Sequence, residues 1–162
     1  MKIVLVRVDD RMIHGQVAVG WTRLVGGTHI VVADDEVAQD STQKMLLKLA
    51  TPVGVNASIL SVADAAAVLC SGKLGNNKVI IIIRGPQGIL DLVEGGVPIT
   101  KVNIGNVRMA EGRERLIKEV AATPDELEAW RKLDAAGIDL EALWLPGGNA
   151  TNFNQVIRNY GK

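Results

Sequence analysis

Residues 7–17 read Arg7-Val8-Asp9-Asp10-Arg11-Met12-Ile13-His14-Gly15-Gln16-Val17, and the chain is organised around this junction. Ahead of it, Lys2 to Val8 is a short apolar run rich in β-branched residues, which predicts a buried strand. Behind it, Val17, Trp21, Leu24 and Val25 fall at i, i+4, i+7 and i+8, one apolar face at a 3.6-residue period, which predicts a helix. His14 thus stands where a first strand gives way to a first helix, beside the unpaired N–H groups of the helix start. Gly15 leaves room there for a group to approach the backbone. Such a place suits an anion.

The residue types fit phosphoryl chemistry. The planar fork of Arg11 matches a phosphate carried on His14, and the positive end of the helix dipole favours the same charge. Imidazole is neutral enough near pH 7 to act as a nucleophile, with its second nitrogen held by a carboxylate or carbonyl; Asp9 and Asp10 are candidates for that support. Gly15 and Gln16 complete the candidate set. The same residues also fit a plainer use, in which His14 only caps or packs at the helix start and Asp9, Asp10 and Arg11 form a solvated charge cluster.

Composition narrows the classes. The 162 residues fit one domain with a sizeable core, and 18 Lys plus Arg against 18 Asp plus Glu leave no net charge to draw the chain to nucleic acid. The apolar content of 48% is broken into short segments, and no stretch approaches the roughly 20 uninterrupted apolar positions of a spanning helix. The N-terminus opens on a strand without the regions of a signal peptide, so a cytoplasmic home is expected. Cys70 beside Val68 and Leu69 reads as a small buried hydrophobe, and two His with one Cys at scattered positions offer no metal-ligand spacing. Neither Gly-x-x-x-x-Gly-Lys-Ser/Thr nor Gly-x-Gly-x-x-Gly after a strand occurs, so no nucleotide cofactor is expected.

The rest of the chain alternates strand and helix. Ile30 to Ala33 is a second strand ending in the acidic loop Asp34-Asp35-Glu36. In open α/β sheets ligand chemistry gathers beyond the strands' carboxyl ends, which makes Asp34 and Asp35 candidates for partner contact or for supporting the site, although acids also simply cover helix starts. His29, at the other end of that strand, reads as structural. Asp40 or Ser41 caps a helix to about Ala50 with Met45, Leu46 and Leu49 on its apolar side, and Val55 to Leu60 is a third strand. Ser61 and Asp64 open an Ala-rich helix that ends by Gly72. Val79 to Ile83, five β-branched residues in a row, predict a central strand buried on both faces. Arg84 follows at its carboxyl end as another candidate contact, ahead of a short helix through about Glu94. Lys101 to Ile104 and Leu116 to Ala121 read as strands, with Arg108, Arg113 and Arg115 between them as a basic, solvated patch. Thr123-Pro124-Asp125-Glu126 is a strong helix start for a helix to Ala136. Leu140 to Leu145 reads as the last strand, Pro146 to Asn149 as a flexible turn, and Asn152 to about Tyr160 as a final helix.

The 7–17 stretch resembles the phosphorylation-site motif of the IIB proteins of the mannose/fructose/sorbose family of the bacterial phosphotransferase system, with Val8 and Met12 standing where the family usually has Ile and Leu. Ala33-Asp34-Asp35-Glu36-Val37-Ala38, Val93-Glu94-Gly95-Gly96-Val97-Pro98-Ile99 and Val102-Asn103-Ile104-Gly105 resemble further family segments in the same order. Asn106 stands where the family often has a second glycine. The resemblance implies that residues 1–162 form a single domain of α/β class, with a mixed, mostly parallel central sheet and helices on both faces. It implies that His14 accepts a phosphoryl group, on Nδ1, from a phosphorylated IIA protein, and passes it to a sugar imported through a IIC/IID membrane complex. Such a protein is a phosphohistidine–sugar phosphotransferase that needs no cofactor. The alternative is an α/β regulatory or anion-binding module that recognises a phosphorylated partner through the same loop without carrying phosphate.

Overall fold

The computed structural model describes residues 1–162. Seven strands form one sheet in the order β3-β2-β4-β1-β5-β8-β9. They are β1 (Lys2–Asp9), β2 (His29–Ala33), β3 (Asn56–Leu60), β4 (Lys78–Ile83), β5 (Lys101–Asn106), β8 (Asp139–Ala142) and β9 (Thr151–Asn152). Every pairing is parallel except β8 with β9. The helices are α1 (Gly15–Val25), α2 (Asp35–Ala38), α3 (Ser41–Ala50), α4 (Val62–Cys70), α5 (Pro86–Glu94), α6 (Pro124–Ala135) and α7 (Phe153–Asn159). This is the mostly parallel α/β architecture expected from the sequence.

Burial on both faces follows from the period of two along a strand. On β4, Val79, Ile81 and Ile83 join a core of 27 buried residues roofed by α4 to α7, while Ile80 and Ile82 join a core of nine under α1 and α2. Trp130 of α6 and Phe153 of α7 meet edge to face at 5.2 Å in the larger core. Met12 and Ile13, loop residues ahead of α1, are part of the smaller core. Register brings the carboxyl ends level: Val8 lies opposite Ile83 and Ile104, and Ala33 opposite Ile83. The segments leaving β1, β2, β4 and β5 therefore emerge on one rim.

Several expectations are corrected. Leu24 is exposed, because the buried stripe of α1 runs through Ala18, Trp21 and Thr22, rotated from the predicted one. The helix α3 leaves Met45, Leu46 and Leu49 exposed, because it turns Leu47 to the small core instead and packs on α2. Leu116 to Ala121 is not one strand but a hairpin, β6 (Glu114–Ile117) against β7 (Val120–Ala122), turned at the polar pair Lys118-Glu119. The last long strand stops at Ala142 rather than Leu145. Cys70 is exposed at the end of α4. The Thr123 capping box forms as expected, and its Glu126 also receives a bidentate ion pair from Arg113 at 2.8 and 3.0 Å. Arg108, on Asp10, and Arg115, on the Lys118 carbonyl, stay exposed as expected, and only Arg113 is half-buried on Glu126.

Candidate functional site

The loop from β1 to α1 is built around a turn in which the Met12 N–H donates to the Asp9 carbonyl at 3.0 Å. Met12 has φ +63°, the only non-glycine residue in the left-handed region. An unbranched but bulky side chain adopts that conformation at a cost of about 1 kcal/mol or more. Burial of Met12 and Ile13 in the small core offsets it and pins the loop. His14 follows as the N-cap of α1 with extended backbone and an exposed side chain that makes no capping hydrogen bond.

That absence matters chemically. Asp34, Asp40, Ser61, Thr123 and Asn152 cap α2, α3, α4, α6 and α7 with side-chain oxygens. The start of α1 has neither a side-chain cap nor an acidic residue in its first turn. The N–H groups of Gly15, Gln16 and Val17 remain available, and a Cβ built on Gly15 would meet nothing within 4 Å. Uncapped donors at the positive end of a helix dipole are a ready seat for an anion beside the His14 ring.

Beneath this start lies an ionic cluster centred on Asp9, which is 1% exposed. Arg11 grips Asp9 with Nε at 2.9 Å and Nη2 at 2.8 Å, a bidentate pair that raises its pKa. On a face of the same guanidinium lies the Trp144 ring, 4.3 Å from Cζ to centroid. Arg7 reaches Asp9 from inside with Nη2 at 3.2 Å. Burial pushes the Arg7 guanidinium down to about 10 although Asp9 opposes the shift. Arg7 also donates to the Asn103 side chain, to the Leu143 carbonyl at 3.0 Å and to the Trp144 carbonyl at 2.8 Å, and lies over Trp21. A Cβ on Gly105 would overlap that guanidinium, so β5 needs glycine there.

The expected site residues divide accordingly. Asp9 at the end of β1, Arg11 and His14 in the loop, and Gly15 and Gln16 at the start of α1 lie on one strand–loop–helix junction. Neither Asp9 nor Asp10 holds the imidazole, which corrects that expectation. Asp9 turns inward to the two arginines, and Asp10 accepts Asn106 Nδ2 at 2.9 Å and Arg108 Nε at 3.1 Å. Asp34, Asp35 and Arg84 form a separate cluster. Asp34 caps α2 through Val37 N–H at 2.9 Å and pairs with Arg84 Nε at 3.0 Å, and Asp35 accepts Val62 N–H at 2.9 Å. No hydrogen bond or ion pair joins them to the His14 loop. His29 is structural: its Nε2 meets Ser58 Oγ at 2.8 Å, and burial lowers its pKa. Arg7, Gly105 and Trp144 were not singled out from the sequence. The available signal was Arg7 itself, a charge inside an otherwise apolar strand, which requires buried partners. No group of three or more His, Cys, Asp or Glu is arranged to hold a metal, and no helix is long and apolar enough to cross a membrane.

Comparison with known proteins bears on this geometry. The family described as PTS system sorbose subfamily IIB component matches residues 3–162. The fructose-specific EIIB component of Bacillus subtilis (strain 168) is 35% identical over 162 residues, covering 100% of this chain and 99% of that protein. The mannose-specific EIIAB component of Escherichia coli (strain K12) is 40% identical over 141 residues, 87% of this chain, and the match spans 44% of that longer protein. The crystal structure of the IIBSor domain of the sorbose permease from Klebsiella pneumoniae superimposes with a TM-score of 0.94 at 31% identity, covering 99% of this chain and 98% of that one.

Proposed function

Since the chain belongs to the sorbose subfamily of IIB components of the sugar phosphotransferase system, we propose that it works in the cytoplasm as a phosphocarrier with His14 as its phosphorylated residue. Residues 1–162 act as one such domain. The observation that carries the assignment is the exposed His14 ring at an uncapped helix start with free N–H groups, three residues after Arg11.

In the first step a ring nitrogen of His14, Nδ1 by family resemblance, attacks phosphorus in line. The bond from phosphorus to the donor atom of a phosphorylated IIA breaks, and its electron pair leaves with IIA. Charge on the three equatorial oxygens is met by Arg11 and by the N–H groups of Gly15, Gln16 and Val17. Met12 and Ile13 hold the loop still, so little reorganisation accompanies transfer. In the second step a sugar hydroxyl presented by a IIC/IID complex attacks the phosphohistidine. The N–P bond breaks, and the hydroxyl proton passes to a base on that complex. Asp10 supports the loop by tying it to Asn106 and Arg108. Asp34, Asp35 and Arg84, on the same rim, contact the partners. Relatives named for fructose, mannose and sorbose share this fold, which favours sugar choice residing in the permease.

The test is transfer from a phosphoenolpyruvate-driven chain ending in a cognate IIA, read by intact mass. The protein is expected to gain one acid-labile phosphate and His14→Gln none. A phosphorylated variant would move the acceptor elsewhere. An unmodified wild type that still binds phosphorylated IIA would make the domain a regulatory module.

A further inference from the structure

The segment after β8 is held in the site with more care than a connecting turn needs. Leu143 N–H donates to the Ile104 carbonyl at 2.9 Å, and the Leu143 carbonyl accepts Arg7 Nη1 at 3.0 Å. The Trp144 carbonyl accepts Arg7 Nη2 at 2.8 Å and Trp21 Nε1 at 3.3 Å. These bonds fix the Trp144 backbone, and its indole, 37% exposed, lies against the Arg11 guanidinium. Asp9 takes two of the three nitrogens of that guanidinium, Nε and Nη2, and leaves Nη1 without a protein partner. An edge fixed by a carboxylate and a face fixed by an indole leave the group little freedom to rotate.

We propose that Trp144 is a positioning residue for phosphoryl transfer: its ring sets the plane of the Arg11 guanidinium, so that the edge not held by Asp9 is presented at a fixed angle to the phosphoryl group. This rests on the reading of His14 as phosphate carrier. It predicts an effect on the transfer step rather than on partner binding, because an arginine that must swing into place loses preorganisation. A ring that only covers the cluster would cost stability when removed and leave the rate alone.

The experiment compares the wild type with Trp144→Leu and Trp144→Phe, in native and Arg11→Ala backgrounds. Two donors are used, phosphorylated IIA and the small donor phosphoramidate. With IIA, Trp144→Leu is expected to lower the saturating rate about tenfold, the size of a partly desolvated cation–π contact. KM should stay within about twofold, and Trp144→Phe, which keeps an aromatic face, should recover most of the rate. Phosphoramidate, which needs no docking, should slow by the same factor. In the Arg11→Ala background the Trp144 change should have almost no further effect. A loss confined to KM, an unchanged rate, or full additivity with Arg11→Ala would overturn the proposal. If neither donor phosphorylates the wild type, the His14 reading fails separately. The positioning claim is then judged on the Arg11 Nε–Hε resonance, which Trp144→Leu should move and which, if unmoved, refutes it. Trp144→Met, which also removes the aromatic face, serves the same comparison should the leucine variant not fold.

Discussion

On one rim of the sheet two clusters of acids and arginines, one after β2 and β4 and one after β1, put the same residue types to opposite uses. After β2, Asp34 caps its own helix, Asp35 ties down the start of α4, and Arg84, its side chain 41% exposed, pairs with Asp34 and Glu36. Every acid there answers a local need. After β1, Asp9 is withdrawn from the helix start and buried between Arg7 and Arg11, while α1 is left uncapped. The nearby start of α5 also lacks a side-chain cap, but Pro86 removes one of its donors, and the two arginines of the surrounding cleft, Arg84 and Arg113, are paired with Asp34, Glu36 and Glu126, with Asp35 and Asp91 beside them. It is no seat for an anion. What marks a site is therefore a helix start whose ordinary partner has been diverted, not the presence of acids and arginines.

The strongest way to break this contrast is to remove, for each loop, the arginine that pairs with its acid, Arg7 of β1 and Arg84 after β4. Arg7→Met leaves Asp9 with one cation and strips partners from the Leu143 and Trp144 carbonyls. Its cost should be about 3 kcal/mol in urea unfolding, as for one partner of a buried ion pair. Arg84→Met should cost about 0.5 kcal/mol, because that pair is screened by solvent. Equal losses would erase the distinction. Glycines sharpen it next. Gly105→Ala forces a methyl into the space of the Arg7 guanidinium and should cost about 2 kcal/mol, whereas Gly85→Ala, with nothing within 4 Å, should be close to neutral by the same measurement. Smallest is the exchange of caps. Asp34→Ala should lose about 1 kcal/mol, and His14→Asp, which supplies the missing cap to α1, should gain about as much while abolishing phosphorylation. A destabilised His14→Asp would show that the open helix start is already satisfied.

How far the sequence revealed this depends on the range of each interaction. The β-branched run of β4 and the capping box at Thr123 are written within a few residues and were legible, as was the strand–His–helix junction. The apolar stripe of α3 was visible, but periodicity does not say which side meets the core: Leu47 does, while Met45, Leu46 and Leu49 stay exposed. The hairpin at residues 114–122 was legible only through Lys118-Glu119, two polar residues in an apolar stretch. The setting of Arg7 was not legible at all, because Asn103, Leu143 and Trp144, which accept from its guanidinium, lie 96, 136 and 137 positions away. Asp9 and Asp10 were rightly placed in the loop and wrongly given the imidazole, since spacing alone does not tell which way a carboxylate turns.

The most direct test of the contrast is the backbone amide spectrum before and after phosphorylation. The N–H signals of Gly15, Gln16 and Val17 are expected to move downfield on gaining a phosphoryl acceptor, while Val37 and the residues after Arg84 stay where they are. Shifts gathered at Val37 and after Arg84, with Gly15 to Val17 unmoved, would contradict it.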